Sequence, residues 1–255
     1  MEVRQGFTDK KGIEYKNIRN IHYEDLTDLR NNKGVFVGET SYSDNIFNTP
    51  EYRLNNGVYL FKSRDRDDVA LRIYKDFADY LFVSYGEDAR LVSKLQDKQK
   101  MIKLTTFPTG IITIGKSVIG QEIPYYEGGK TLAYLFRNKQ MGSKIATSYY
   151  IDMLKILKEL VQNGIIYADC HANNFIYHED IVKLIDFEEH FISIDKDKGK
   201  EQDMLRNLKT CLIGLSRLID IEIEEIGKTN TLDEMLELVQ EKDYKLNKSR
   251  RRRYE

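Results

Sequence analysis

Apolar residues recur with a period of two in the first half of the chain. Val69, Leu71 and Ile73 are separated by single residues of other character, which predicts a strand. The run VYLF at 58–61 precedes this strand across a polar turn, so the two runs predict a β-hairpin. Two further β-rich runs lie within 110–126, separated by glycine and polar residues, and they predict two more strands.

Helical periodicity dominates the second half. Apolar residues recur at steps of three and four from Ile145 to Leu160, and Asn163-Gly164 then predicts the end of this helix. The other predicted elements are helices over 86–99, 203–219 and 232–240, and short strands over 165–167 and 181–185.

These elements predict an α+β protein with four segments. We expect an N-terminal extension over 1–50, a sheet-rich segment over 51–127, a mainly helical segment over 128–245 and a basic tail over 246–255. The extension is polar, with one short helical pattern at 23–29, and we expect it to pack onto the core.

Composition restricts the classes of function. The 255 residues are 41% hydrophobic, enough for a sizeable core, and the net charge of -1 gives no global attraction to nucleic acid or membrane. We see no membrane span and no signal peptide, so we expect a cytoplasmic protein; export to a host cell without a signal stays open.

Cys170 and Cys211 are expected to be buried thiols in a reducing compartment. The run Arg250, Arg251, Arg252, Arg253 is either a solvated tail or a contact for an acidic partner.

Three oxygen-bearing side chains stand out in the second half. Asp169 and Asn174 lie five positions apart after the long helix, and Asp186 follows twelve residues later at the end of a strand. Phosphoryl transfer needs an acid that orients the attacking hydroxyl and oxygen ligands for Mg²⁺. We therefore predict Asp169 as the catalytic base, and Asn174 and Asp186 as metal ligands. The alternative for all three is ordinary turn chemistry.

The spacing D-x-x-x-x-N at 169–174 and the sequence I-D-F-E at 185–188 resemble the protein-kinase-like superfamily. Tyr167-Ala168 stands where that family has His-Arg before the aspartate, and an acid replaces the glycine after D-F. His171, two residues after Asp169, is more similar to the D-x-H-x-x-N loop of aminoglycoside and choline kinases.

The resemblance implies a two-lobed protein-kinase-like fold that holds ATP and Mg²⁺ between a small antiparallel sheet lobe and a reduced, mainly helical lobe. It also implies that Arg72, positioned by Glu87, contacts the α- and β-phosphates. Arginine stands there in place of the usual lysine, and the preceding loop, LNNGVYLF, holds a single glycine. The residues that the resemblance assigns to the nucleotide or to anchoring the loop are Val58 at the glycine loop, Ile123, Tyr125 and Tyr126 at the hinge, and Asp203 in a later helix.

The sequence gives less information about which molecule accepts the phosphate than about the residues that transfer it. About 42 residues separate Glu127 from Asp169, room for one helix, which favours a protein Ser/Thr hydroxyl over a small molecule. A small-molecule kinase of the aminoglycoside/choline type is the second reading, and a pseudokinase scaffold that binds partners is the third. His171 either contacts substrate or phosphate, or hydrogen-bonds a backbone carbonyl within the loop.

Overall fold

The computed structural model describes residues 2–8, 14–20, 58–62, 66–74, 86–114, 117–138, 140, 142–187, 191–194 and 197–251. The chain divides into two compact units. Unit 1 comprises Met1–Gly129 with Phe187–Glu189, and unit 2 comprises Lys130–Asp186 with His190–Glu255. Strands and helices are both abundant, so the predicted α+β class is confirmed.

Unit 1 contains a six-stranded sheet with the order β1-β2-β5-β6-β4-β3. The strands are β1 (Glu2–Thr8), β2 (Glu14–Asn20), β3 (Val58–Lys62), β4 (Val69–Tyr74), β5 (Gly110–Ile114) and β6 (Ser117–Pro124). All neighbouring pairs are antiparallel except β2 and β5, which are parallel. The predicted hairpin (β3–β4) and the two predicted later strands (β5 and β6) are confirmed. The strands β1 and β2 were not predicted, and the helical pattern at 23–29 lies outside the described residues.

The core of unit 1 forms where helix α1 (Gly86–Lys98) packs on the sheet. Ala89 and Val92 of this helix are buried with Ile111 and Val118 of the sheet. These helix residues are three positions apart and therefore lie on one face. The helix predicted over 86–99 is thus confirmed, and a short 3₁₀ turn, Gln99–Met101, follows it.

Unit 2 is built on the long helix α3 (Ser143–Gln162), which follows the two-residue strand β7 (Lys130–Thr131) and the short helix α2 (Leu132–Arg137). The end of α3 is as predicted, because Asn163 caps the helix and Gly164 has a φ of 72°. Two small sheets flank the helix: β7 with β9 (Phe175–His178) and β10 (Ile181–Leu184), and β8 (Ile165–Tyr167) with β11 (Ile192–Ile194).

Three helices complete unit 2: α4 (Lys198–Ile219), α5 (Ile223–Lys228) and α6 (Leu232–Arg251). The Asp197 side chain caps α4 by accepting hydrogen bonds from the amides of Gly199 and Lys200. The prediction for α6 was too short, since the helix continues to Arg251. Among the described helices, none combines the length and apolar character that crossing a membrane requires.

Candidate functional site

The segment between β8 and β9, residues 168–174, carries the predicted catalytic residues, and we call it the acidic loop. It is a tight turn held by its own backbone. The His171 amide donates to the Asp169 carbonyl at 2.8 Å, and the Asn174 amide donates to the His171 carbonyl at 3.0 Å. At its start, the Ala168 amide donates to the Phe191 carbonyl at 2.8 Å. These bonds fix the direction in which the loop side chains leave the backbone.

Two helices of unit 2 also hold the acidic loop. Asn207 of α4 donates from Nδ2 to the Ala168 carbonyl at 2.8 Å, and the Ala133 amide of α2 donates to the Ala172 carbonyl at 3.3 Å. Asp203 was the predicted anchor of this loop, and that prediction was wrong. Asp203 lies one turn earlier on α4, with its side chain about half exposed and paired with Arg206 at 2.5 Å.

A buried tyrosine of α3 positions the end of the acidic loop. The Tyr149 hydroxyl donates to the Phe175 carbonyl, directly after Asn174, and accepts a hydrogen bond from the Leu132 amide at 3.2 Å. It therefore ties β9 and the start of α2 to the long helix. Burial raises the pKa of this hydroxyl well above its usual range, so it stays protonated and able to donate.

Asn174 is the centre of the side-chain network, and it is buried. Its Nδ2 lies 2.7 Å from Oδ2 of Asp169, 3.0 Å from the Asp169 carbonyl oxygen and 2.8 Å from the Tyr167 hydroxyl. All three neighbours accept hydrogen bonds, so this side of the amide is committed to the protein. The Oδ1 of Asn174 is the atom that could serve as a ligand for a cation.

Tyr167 links Asn174 to Asp186. Its hydroxyl accepts from Asn174 and donates to the Asp186 carbonyl oxygen at 3.0 Å. The pKa of this phenol is raised well above its usual range by burial first, and then by the negative charges of Asp186 and Asp169. One hydroxyl thus joins the two predicted metal ligands.

The backbone at Asp186 is unusual. Its φ of 67° places a residue with a side chain in the left-handed region, which costs free energy and occurs at turns, helix ends and functional sites. Backbone pairing supports the conformation from one side, because the Ile185 amide donates to the Asn174 carbonyl at 2.8 Å. The end of strand β10 is thereby held against the acidic loop.

Asp169 and His171 form an ion pair within the acidic loop. The distance from His171 Nε2 to Asp169 Oδ2 is 3.3 Å, and the His171 side chain is about half exposed. Its pKa is raised, first by the hydrogen bond to Asp169, and this outweighs the opposing effect of burial. The side chain of His171 therefore bonds the Asp169 carboxylate, rather than a backbone carbonyl within the loop, which was the alternative contact expected for it.

The donor set suits a hard divalent cation. Asn174 Oδ1 and the Asp186 carboxylate are oxygen ligands of the kind that Mg²⁺ takes, with water and phosphate oxygens supplying the rest of the shell. Within the described residues, no group of three or more His, Cys, Asp or Glu side chains could hold a metal ion. The predicted ligand pair is one amide and one carboxylate, Asn174 and Asp186, and its binding of Mg²⁺ stays a prediction.

The residues predicted to bind the nucleotide belong to unit 1. Arg72 is buried on β4, where it pairs in register with Gln121, and Ile123 is buried two residues further along β6 on the same face. The Tyr125 amide donates to the Asp68 carbonyl at 2.9 Å, and the contact of Tyr125 with adenine stays a prediction. Tyr126 lies just after β6, and burial raises its pKa.

For two of the residues predicted to contact the nucleotide, the structure describes the backbone alone. Val58 begins β3 opposite Tyr74, and Glu87 lies in the first turn of α1. Their side chains lie outside the described part of the chain, so the Arg72–Glu87 ion pair stays a prediction. The loop around Gly57, Glu188 and the side chains of the run Arg250–Arg253 lie outside it as well.

A cavity of about 380 Å³ adjoins the acidic loop within unit 2. It is lined by Leu132, Ala133, Phe136, His171, Ala172, Asn207, Thr210, Cys211, Gly214 and Leu215. The sequence analysis did not predict it. The available signal was Gly214, an isolated glycine in the middle of a strongly amphipathic helix.

The two cysteines differ in exposure. Cys170 is buried as predicted, and its thiol donates to the Tyr167 carbonyl at 2.9 Å. Cys211 as a residue is partly exposed, although its sulfur is buried. Burial of the sulfur raises the pKa of Cys211 to about 12, so the group remains a neutral thiol at physiological pH.

Comparison with known proteins gives no family for this chain: no protein-family model and no curated protein matches it.

Proposed function

We propose that the protein is an ATP- and Mg²⁺-dependent kinase that transfers the γ-phosphate to a hydroxyl group, most directly a Ser or Thr of a protein. In this proposal the two units are the lobes of a protein-kinase-like fold. The observation that carries it is the continuous hydrogen-bonded network Asp169–Asn174–Tyr167–Asp186. The network links the residues that carry the acid, the amide and the second acid that phosphoryl transfer needs, and it reaches Asp186 through the backbone carbonyl.

Asp169 is the proposed catalytic residue that orients the acceptor hydroxyl and takes its proton. Its Oδ2 receives hydrogen bonds from Asn174 Nδ2 and His171 Nε2, so the carboxylate is held in one orientation. Orientation is the main contribution that a kinase base makes, because the transition state of phosphoryl transfer is loose and has little bond formation to the nucleophile.

Asn174 and Asp186 are the proposed ligands of Mg²⁺, which neutralises charge on the phosphates when bound. Tyr167 keeps both in place, since its hydroxyl bonds the amide of one and the carbonyl of the other. Arg72, Ile123, Tyr125 and Tyr126, with Val58 and Glu87, remain the proposed contacts for ATP in unit 1.

An acceptor of the aminoglycoside type carries several ammonium groups and is favoured by acidic walls, whereas the quaternary ammonium of choline is commonly bound by aromatic rings. The described residues that line the cavity next to the acidic loop include no acid. This lining supports the protein hydroxyl over an aminoglycoside acceptor.

The test compares two aspartates that share one backbone conformation. Asp186 and Asp220 both have left-handed φ values, 67° and 56°, which asparagine also tolerates. We expect Asp186→Asn to lower Mg²⁺-dependent phosphate transfer from [γ-³²P]ATP by at least about 100-fold, because a metal-binding charge is lost. Asp220→Asn, at the exposed end of α4, should retain wild-type activity.

Intact mass after incubation with Mg-ATP gives an independent readout through autophosphorylation. Wild-type protein that neither transfers phosphate nor shifts its melting temperature with Mg-ATP would overturn the proposal. A Mg²⁺-independent shift without transfer would instead identify a nucleotide-binding scaffold.

A further inference from the structure

The cavity beside the acidic loop has walls from three places in unit 2. Helix α2 contributes Leu132 and Phe136, the acidic loop contributes His171, and α4 contributes Cys211 and Leu215. Its volume of about 380 Å³ lies within the range of sites that bind organic groups. Because His171 also bonds Asp169, the cavity begins one side chain away from the proposed catalytic base.

The polar residues of the cavity wall are already engaged within the protein. Asn207 donates to the Ala168 carbonyl, the Thr210 hydroxyl donates to the Arg206 carbonyl at 3.1 Å, and His171 Nε2 bonds Asp169. The remaining lining is aliphatic, aromatic or thiol. The wall therefore suits an uncharged apolar group and offers no counter-charge for a basic one.

Gly214 lies at an exposed position of α4 that lines this cavity. It lies inside the 22-residue helix α4, where glycine costs about 1 kcal/mol relative to alanine. A Cβ at this position would meet nothing within 4 Å, so no neighbouring atom requires glycine. A side chain at this position would extend into open space beside the other residues of the cavity wall.

We propose that this cavity is the specificity site of the kinase, and that it binds an aromatic or branched aliphatic side chain of the protein that carries the acceptor hydroxyl. The inference rests on the proposed function. The apolar side chain enters between α2 and α4, and the neighbouring Ser or Thr reaches Asp169 past His171. Binding energy from this remote group serves to orient the hydroxyl at the reacting centre.

The first experiment measures binding without catalysis. Indole serves as a probe for an aromatic side chain, and its binding to the full chain is followed by saturation-transfer NMR. We expect wild-type protein to bind indole, Gly214→Ala to bind it slightly less, and Gly214→Leu to lose at least 10-fold in affinity because the added side chain fills the cavity. The control is Gly227→Leu, also at a helical glycine with open space around it, which should bind like wild type.

Melting temperatures show whether the variants are folded. We expect Gly214→Ala and Gly214→Leu to melt no lower than wild type, since each removes a helical glycine without a clash. The proposal is overturned if wild-type protein does not bind indole. It is also overturned if Gly214→Leu is folded and binds indole as tightly as wild type.

The second experiment measures specificity with a library of Ser-containing peptides and [γ-³²P]ATP. Wild type and Gly227→Leu should both prefer an apolar residue at one position near the serine by at least about 5-fold, and Gly214→Leu should lose this preference. Phosphorylation without any apolar preference overturns the inference while the proposed function stands. If wild type transfers no phosphate but indole still binds as expected, the proposed function fails and the cavity remains a binding site.

Discussion

At the scale of single residues, Asn174 combines two tasks in one amide. Its Nδ2 donates to Asp169 and Tyr167, which leaves Oδ1 as the proposed ligand for Mg²⁺. Aspartate has the same shape and two oxygen ligands, yet it cannot donate. The requirement for an amide therefore comes from the hydrogen-bond network, and the metal alone would accept either residue.

Asn174→Asp should consequently destabilise the protein at neutral pH. A second buried carboxylate would face Asp169 Oδ2, now 2.7 Å from the amide, and the lost donor alone costs about 1–3 kcal/mol. Like charges raise the pKa of a carboxyl group, so the cost should shrink as the pH falls and one of the two takes up a proton. Urea unfolding of wild type and variant at pH 5 and pH 8 measures this. A difference that does not change with pH would contradict the prediction.

His171 predicts a pH effect of the opposite sign. Its pKa is raised above 6.5 in the folded protein, chiefly by the hydrogen bond to Asp169. The stabilisation is therefore fully present below the unfolded pKa and is lost as the pH rises through the folded value. His171→Asn should be less stable than wild type at pH 5.5 by less than about 1 kcal/mol, since the imidazole is half exposed, and equally stable at pH 9. Thermal unfolding at both pH values checks this, and a larger deficit at pH 9 would refute it.

At the scale of secondary-structure elements, strong local periodicity was sufficient to predict the hairpin and the long helices, whereas strand β9 was not predicted. The turn from β9 to β10 consists of Glu179 and Asp180, with φ values of 48° and 61°. Both central residues are left-handed, as in a type I′ turn, which is usually signalled by Asn-Gly. Glu-Asp gives no such signal. Similarly, β1 and β2 are rich in polar residues and acquire their sheet partners only in the fold.

The candidate site was predictable to a similar extent. Short motif spacing identified Asp169, Asn174 and Asp186, and hydrogen bonds link these residues directly or through Tyr167. Which residue of α4 bonds the acidic loop depends on the position of the helix along its own axis. No local sequence pattern predicts that position. Asn207 and Asp203 are one turn apart, so a sequence pattern alone could not separate them.

Asn207→Ala and Asp203→Ala form a matched pair that separates the observed anchor from the predicted one. The first leaves the Ala168 carbonyl without its side-chain donor, now at 2.8 Å, and we expect a loss of about 1–3 kcal/mol together with weaker phosphate transfer. The second removes an exposed pair with Arg206 and should cost less than about 1 kcal/mol. Urea unfolding and the [γ-³²P]ATP assay provide the readouts. Equal effects of the two changes would show that Asn207 has no special role.

At the scale of the whole molecule, the chain leaves unit 2 immediately after the proposed metal ligand. Asp186 belongs to unit 2, whereas Phe187 belongs to unit 1. Phe187 is buried there against the edge of Phe107, with ring centroids 5.3 Å apart, and its carbonyl accepts from Gln121 Nε2 at 3.4 Å. The residue after Asp186 is thus part of the core of the sheet unit.

Phe187→Ala should therefore destabilise unit 1. Removing a buried phenyl ring costs about 3–5 kcal/mol through lost burial and the cavity that remains, and here the edge-to-face contact with Phe107 is lost as well. Amide hydrogen exchange should show faster exchange first in β5 and β6, with α3 protected for longer. Phe136→Ala, at a ring that is 51% exposed, is the control and should cost less than about 1 kcal/mol. Faster exchange confined to α3 would show that Phe187 packs in unit 2 instead, and would remove the basis for assigning the residues after Asp186 to the sheet.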